Sequence, residues 1–173
     1  MTAIRTYSAL VVLTAAAVLA LSACGGSDTG GAAAGAASAG QTVSTATVDG
    51  VGEVLVDSQG DALYSPDEET GGKVLCTGSC VSIWAPLTLP VGASPTAGAD
   101  LRTKLGIVQR PDGAQQVTYD GKPLYRFVED PGPGTVTGND FSDSFDGKDF
   151  TWHVASPGSV SGGSTPSGGG YGY

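Results

Sequence analysis

The sequence predicts a mainly β fold: a small two-repeat antiparallel β domain, sandwich or barrel-like, with a disordered N-terminal tether and C-terminal tail. Three observations predict it. Short apolar runs alternate with turn residues across residues 43–156. Asp120-Gly121 is a hairpin signal, because both central residues of a type I′ turn need positive φ. A pentapeptide ending in Leu-Tyr occurs twice, at an offset of 61 residues.

The elements follow in chain order. Val54-Leu55-Val56 is an apolar run, Ser58-Gln59-Gly60 a turn and Asp61 to Ser65 a return strand. Gly106 to Arg110 reads as a strand closed by the turn Pro111-Asp112-Gly113, and Gln115 to Tyr119 follows. Lys122 to Phe127 is the partner across Asp120-Gly121. Pro123 lacks an N–H, so that strand lies at an edge or pairs irregularly there. Phe150, Trp152 and Val154 alternate with Thr151 and His153, the pattern of a half-buried final strand. Asp100 to Leu105 and Ser79 to Trp84 are the two stretches that suit a short helix.

The ends read differently. Arg5 followed by the apolar run Tyr7 to Leu21 has the make-up of an export signal, and the run is too short for a membrane helix, which needs roughly 20 apolar residues. Leu21-Ser22-Ala23-Cys24 looks like a bacterial lipobox. Residues 1–23 are therefore expected to be a lipoprotein signal peptide, with lipid attached to Cys24 and the protein held at the outer face of the cytoplasmic membrane, in the cell envelope. More than one acyl chain is needed for firm anchoring. Residues 24–42 are Gly, Ala, Ser and Thr with almost no large apolar side chains, a flexible tether. Residues 157–173 are a Gly/Ser-rich tail.

Three cysteines is an odd number. Lipid on Cys24 leaves Cys76 and Cys80, which pair in an oxidising compartment. Loss of the leader also removes Arg5. Seven basic and 17 acidic residues remain, a net charge of −10. That balance disfavours nucleic acid as a partner.

Gly60-Asp61-Ala62-Leu63-Tyr64 aligns with Gly121-Lys122-Pro123-Leu124-Tyr125, and the register continues through Glu68/Glu129, Glu69/Asp130 and Gly71/Gly132. Trp84 and Trp152 follow at unequal distances, so the second copy carries an insertion. Residues 51–90 and 105–156 are the two repeats, neither large enough to fold alone.

Tyr125-Arg126-Phe127-Val128-Glu129-Asp130 resembles the Tyr-x-aromatic-x-x-Asp motif of bacterial lipoproteins described as secreted repeats of unknown function. Cys76-Thr77-Gly78-Ser79-Cys80 with Trp84-Ala85-Pro86-Leu87 is similar to that family too, as is Arg110-Pro111-Asp112-Gly113 with Gln116 to Tyr125. The first copy departs from the motif, with Pro66 for the aromatic and Glu69 for the Asp. The resemblance marks Tyr125, Phe127 and Asp130 as the family-motif residues and implies no particular reaction.

The remaining chemistry is read residue by residue. Cys76-x-x-x-Cys80 has one residue more than a working dithiol, and only Lys73 stands near to lower a thiol pKa. A structural bridge is the expectation, with redox or metal roles as alternatives. His153 is the only histidine and has no nucleophile elbow to serve. Asp140, Asp143, Asp146 and Asp149 recur every third residue, and oxygen ligands on a loop suit calcium, but the spacing is not that of an EF-hand. A solvated loop is the stronger reading. Adjacent carboxylates in Glu68-Glu69 and Glu129-Asp130 point different ways, so neither pair makes a hydrolytic site. Tyr64, Tyr125, Phe127, Trp84 and Trp152 could line a groove for sugar or peptide, but aromatics in a β domain of this size more often form the core, which is the expectation.

The expectation for function is a lipid-anchored domain outside the cytoplasm that binds or scaffolds at the cell envelope. It is not an enzyme and needs no cofactor. Its partners are the membrane, through Cys24, and an envelope protein or small ligand. A redox accessory role for Cys76 and Cys80 is the alternative, and an envelope polymer hydrolase ranks lowest.

Overall fold

The computed structural model describes residues 40–158. Cys24, the leader, nearly all of the tether and the tail beyond Gly158 lie outside the described residues. The strands are β1 (Ser44–Val48), β2 (Gly52–Val56), β3 (Tyr64–Pro66), β4 (Trp84–Pro86), β5 (Thr88–Leu89), β6 (Leu105–Gln109), β7 (Gln115–Tyr119), β8 (Lys122–Pro123), β9 (Tyr125–Phe127), β10 (Phe141–Phe145) and β11 (Lys148–Val154). A 3-10 turn spans Gly78–Ser82, and one helical turn, α1, spans Ala99–Arg102. The chain is mainly β, in antiparallel sheets that curl into a half-barrel.

The strongest sequence signals hold. Asp120 and Gly121 have φ of 48° and 76°, and β7 pairs β8 across them. Pro123 ends the pairing with β7, and the chain passes through Leu124 into a different sheet as β9. Leu124 still donates to Val117, but Val117 turns its own N–H to Leu87, and the ladder goes no further. Two expectations need correction, and one strand has no clear sequence signal. The helix expected at Asp100 to Leu105 is one turn, and Leu105 already belongs to β6. Ser44–Val48 is a strand that small and β-branched residues without alternation concealed. The Asp-rich stretch from Asp140 is not a loop: Phe141 to Val154 is a hairpin, β10 and β11, turning at Asp146-Gly147 with both φ positive. Asp and Ser rarely favour strands, but cross-strand pairing and Phe145 against Phe150 outweigh that here.

The two repeats exchange strands. The order in the largest sheet is β10-β11-β3-β9-β4. β3, from the first repeat, pairs with β11 of the second: Trp152 faces Pro66 and Val154 faces Tyr64. β9, from the second, pairs with β4 of the first: Trp84 faces Phe127 and Pro86 faces Tyr125. The two registers correspond: Tyr64 and Pro66 match Tyr125 and Phe127, and Trp84 and Pro86 match Trp152 and Val154, the second pair displaced further along the chain by the insertion. Tyr64 faces Tyr125 where β3 meets β9, on the pseudo-two-fold axis.

Backbone hydrogen bonds repeat the symmetry. Leu55 N–H donates to Ala155 C=O, Ala155 to Leu63 and Leu63 to Leu55, at 2.7, 2.7 and 2.9 Å. In the other half Val117 donates to Leu87, Leu87 to Leu124 and Leu124 to Val117, at 2.8, 2.9 and 2.9 Å. Both closed triangles use residues from both repeats. They are floored by an aliphatic core of Val43, Leu55, Leu63, Leu101, Val117 and Leu124. A second, aromatic core lies under the largest sheet.

Candidate functional site

On the axis, the two tyrosines reach across to each other's repeats. Tyr64 donates its hydroxyl to Asp130 Oδ2 at 2.7 Å, and Tyr125 donates to Glu69 Oε2 at 2.7 Å. The second oxygen of each acid ties down the loop that follows it. Glu69 Oε1 accepts the N–H of Leu75 and of Cys76, at 2.5 and 2.6 Å. Asp130 Oδ1 accepts the Thr137 N–H at 2.9 Å and its hydroxyl at 2.6 Å. The acid-to-amide spacing is seven residues in both copies. Glu69 therefore does in the first repeat what Asp130 does in the second.

Burial and the facing carboxylate push both phenols well above the ordinary tyrosine range, because each opposes phenolate formation. Arg110, itself buried, completes the Tyr125 side. It donates to Gln116 Oε1 at 2.5 Å and to the Cys76 carbonyl at 2.8 Å, and lies 6.0 Å from the Tyr125 ring centre.

The two repeat-equivalent tryptophans stack on each other. Trp84 and Trp152 have ring centres 3.9 Å apart and planes 8° from parallel. One carboxylate serves both indoles: Asp143 Oδ2 accepts Trp84 Nε1–H at 2.7 Å, and Oδ1 accepts Trp152 Nε1–H at 2.9 Å. Asp143 stands on β10, within the insertion that the first repeat lacks. In the first repeat the Cys76–Cys80 disulfide, fully buried, occupies the corresponding loop.

A cleft of about 790 Å³ opens beside β11. His153 stands in its wall, paired across the strands with Ser65. Its Nδ1 is 2.9 Å from Asp140 Oδ1 and its Nε2 is 3.0 Å from Asp67 Oδ2. Lys122 pairs with Asp67 at 3.4 Å, and Lys104 with Asp120 at 3.2 Å. Lys104 is held charged more firmly than usual, first by that hydrogen bond and then by Tyr119. The apolar lining is Leu124, Val154 and Ala155.

The motif tyrosine, aromatic ring and acid thus sit in one symmetric centre. Residues 106–156 match the secreted repeat of unknown function. The matched repeat runs from β6 to just past β11, and it is the family that the motif resembles. The other copy, which supplies β3 and β4, lies outside the matched span. A search of curated proteins and a search of solved structures each found no match.

Within the secreted repeat, Tyr125 and Asp130 act through partners in the other copy, and Phe127 stacks on Trp84 at 4.4 Å. The four aspartates of the insertion are dispersed over separate tasks. Asp143 holds the indoles, Asp140 faces His153, Asp149 accepts the Ser144 hydroxyl, and Asp146 lies at the hairpin turn beside Gly78. The calcium reading required one loop of converging ligands, and a hairpin with alternating side-chain directions does not provide it. Glu129 is exposed while Asp130 points inward, and Glu68 bonds the Thr151 amide while Glu69 is buried. Sequence reasoning missed Asp67 and Arg110. Asp67 carried no signal, since its partner His153 lies 86 residues away. Arg110 stood in a family-like stretch but read as a strand end.

Proposed function

We propose that this is an exported domain, anchored by lipid on Cys24, that binds a polar envelope ligand through the cleft beside His153 without a catalytic step. The description of the matched family as secreted supports a site of action outside the cytoplasm. The lipobox-like Leu21-Ser22-Ala23-Cys24 supports attachment through Cys24, and among the described residues no helix is long and apolar enough to cross a membrane.

The cleft carries the binding reading. Charges of both signs, Lys122 with Asp67 and Lys104 with Asp120, ring an apolar floor at the surface. A ligand with its own positive and negative groups exchanges them for these pairs at low desolvation cost, since the groups are already partly solvated. The interior groups Glu69, Arg110, Gln116 and Tyr125, by contrast, are bonded to one another or to backbone. His153 is paired across the strands with Ser65, but the hydrogen bonds of its ring are to Asp140 and Asp67. Burial of both cysteines supports a structural bridge over a working dithiol.

A photo-crosslinking amino acid at Val51, exposed on the cleft wall, tests the reading in cells. We expect one dominant adduct, lost on Lys104→Glu/Lys122→Glu and kept in a control labelled at Val91. Adducts unchanged by the charge reversals overturn the cleft as the binding site. Cys24→Ser should end lipid labelling and release the protein from membranes. Continued labelling overturns the anchor.

A further inference from the structure

The aromatic core has a feature that packing alone does not require. Four oxidisable rings form an unbroken row, and each donates a hydrogen bond to a carboxylate, the two indoles sharing one. Tyr64 lies 5.5 Å from Trp84, Trp84 3.9 Å from Trp152, and Trp152 5.2 Å from Tyr125, between ring centres. The acceptors are Asp130 for Tyr64, Asp143 for both indoles and Glu69 for Tyr125, all at 2.7 to 2.9 Å. A stable core is served by phenylalanine, or by tyrosine and tryptophan bonded to neutral carbonyls. Carboxylates differ in one respect: they accept a proton outright.

That difference matters for one-electron chemistry. Oxidation of an indole or a phenol turns its N–H or O–H into a strong acid, so electron loss is easiest where a base already holds the hydrogen bond. A parallel stack at 3.9 Å also spreads the electron hole over two rings. We propose that Tyr64, Trp84, Trp152 and Tyr125 form a proton-coupled relay that takes up oxidising equivalents from small radicals and passes them to Tyr64.

The steps balance as follows. A one-electron oxidant of the peroxyl-radical class takes an electron from the tryptophan pair and becomes its anion. The indole N–H proton moves to Asp143, leaving a neutral tryptophan radical. Tyr64 then gives an electron to that radical and its hydroxyl proton to Asp130, while Asp143 returns its proton to the indole nitrogen. A hydrogen-atom donor of the hydroquinone class restores the phenol, and Asp130 releases its proton to water. Geometry sets the direction. Asp130 and Asp143 are half-buried and can exchange protons with solvent, whereas Glu69 is fully buried and keeps Tyr125 a side reservoir. Entry is through Phe141, exposed and 6.2 Å from Trp84, where one ring separates the pair from water. The binding reading of the cleft does not depend on the relay.

The test is pulse radiolysis of the full chain with azide radical as the oxidant, followed by transient absorption. Tyr7, Tyr171 and Tyr173 are first replaced by Phe to remove tyrosines outside the described residues. We expect a tryptophan radical that converts to a tyrosyl radical at a rate independent of protein concentration and slower in D2O. Tyr64→Phe/Tyr125→Phe should lose the tyrosyl signal and lengthen the tryptophan radical's life, while Tyr119→Phe should change neither. A tyrosyl yield unaffected by Tyr64→Phe/Tyr125→Phe overturns the relay. So does conversion that speeds up with protein concentration or ignores D2O, measurements that need no core variant.

Discussion

The Tyr64 hydroxyl of the first repeat is bonded to the Asp130 carboxylate of the second, and the converse bond joins Tyr125 to Glu69. In this chain the crossed bonds give the spacing between Tyr125 and Asp130 a structural reason. The two residues of one motif do not bond each other. The spacing lets each acid bond the other repeat's tyrosine while anchoring its own loop.

Loss of Glu69 should cost more than loss of Asp130. Glu69 is fully buried and accepts from the Tyr125 hydroxyl and two backbone N–H groups. Glu69→Ala leaves those donors unsatisfied, at roughly 1–3 kcal/mol each before relaxation. Asp130→Ala opens a half-buried site that water can fill. Urea unfolding of both variants checks the order.

A methyl group at Gly138 has no room. A Cβ there falls 2.8 Å from Trp84 Cη2 and 3.1 Å from Phe127. Gly138→Ala should destabilise by about 1–3 kcal/mol through strain in the stacked core. Gly98→Ala, in open space, is the control and should stay near wild type. Thermal unfolding separates the two.

The matched repeat should not fold alone. Within residues 106–156, β9 has lost β4 and β11 has lost β3, the pairs that close the sheet. Amide NMR of that fragment should show the narrow dispersion of an unfolded chain. Adding the first repeat as a separate fragment should restore dispersion, since every exchanged pair is intermolecular in that mixture.

Stability should fall at alkaline pH. Both phenols have folded-state pKa values raised above the ordinary value of 10.0, first by burial and then by their carboxylates. The unfolded chain therefore loses those protons first. Stability is full below pH 10 and declines above it, by about 1.4 kcal/mol per pH unit for each tyrosine. Tyr64→Phe/Tyr125→Phe should flatten that slope in denaturant titrations at pH 9 to 12 (roughly the window in which an unfolded phenol ionises).

Reduction of the Cys76–Cys80 bridge should lower stability by about 2 kcal/mol, the entropy of a short closed loop. The bridge holds the carbonyl that Arg110 bonds and the amide that Glu69 bonds. Cys76→Ser/Cys80→Ser should therefore also weaken the Tyr125 side. Loss of the protected Cys76 amide in hydrogen exchange reads this out.

The sequence by itself determined the β class, the hairpin at Asp120-Gly121, the duplication and the aromatic core. Each rests on local pattern: turn chemistry, alternation, or a Gly-x-x-Leu-Tyr pentapeptide that occurs twice. It located Tyr125, Phe127 and Asp130 but not what they touch. Only the tertiary structure decided that the repeats exchange strands, that Glu69 replaces Asp130 in the first copy, and that Asp143 serves two indoles. It also decided that the Asp-rich stretch is a hairpin and that Asp67 meets His153. These are contacts between residues 9 to 86 positions apart. A local sequence pattern carries no record of them, because the partner is chosen by how the sheets curl and by which chain end arrives at each edge.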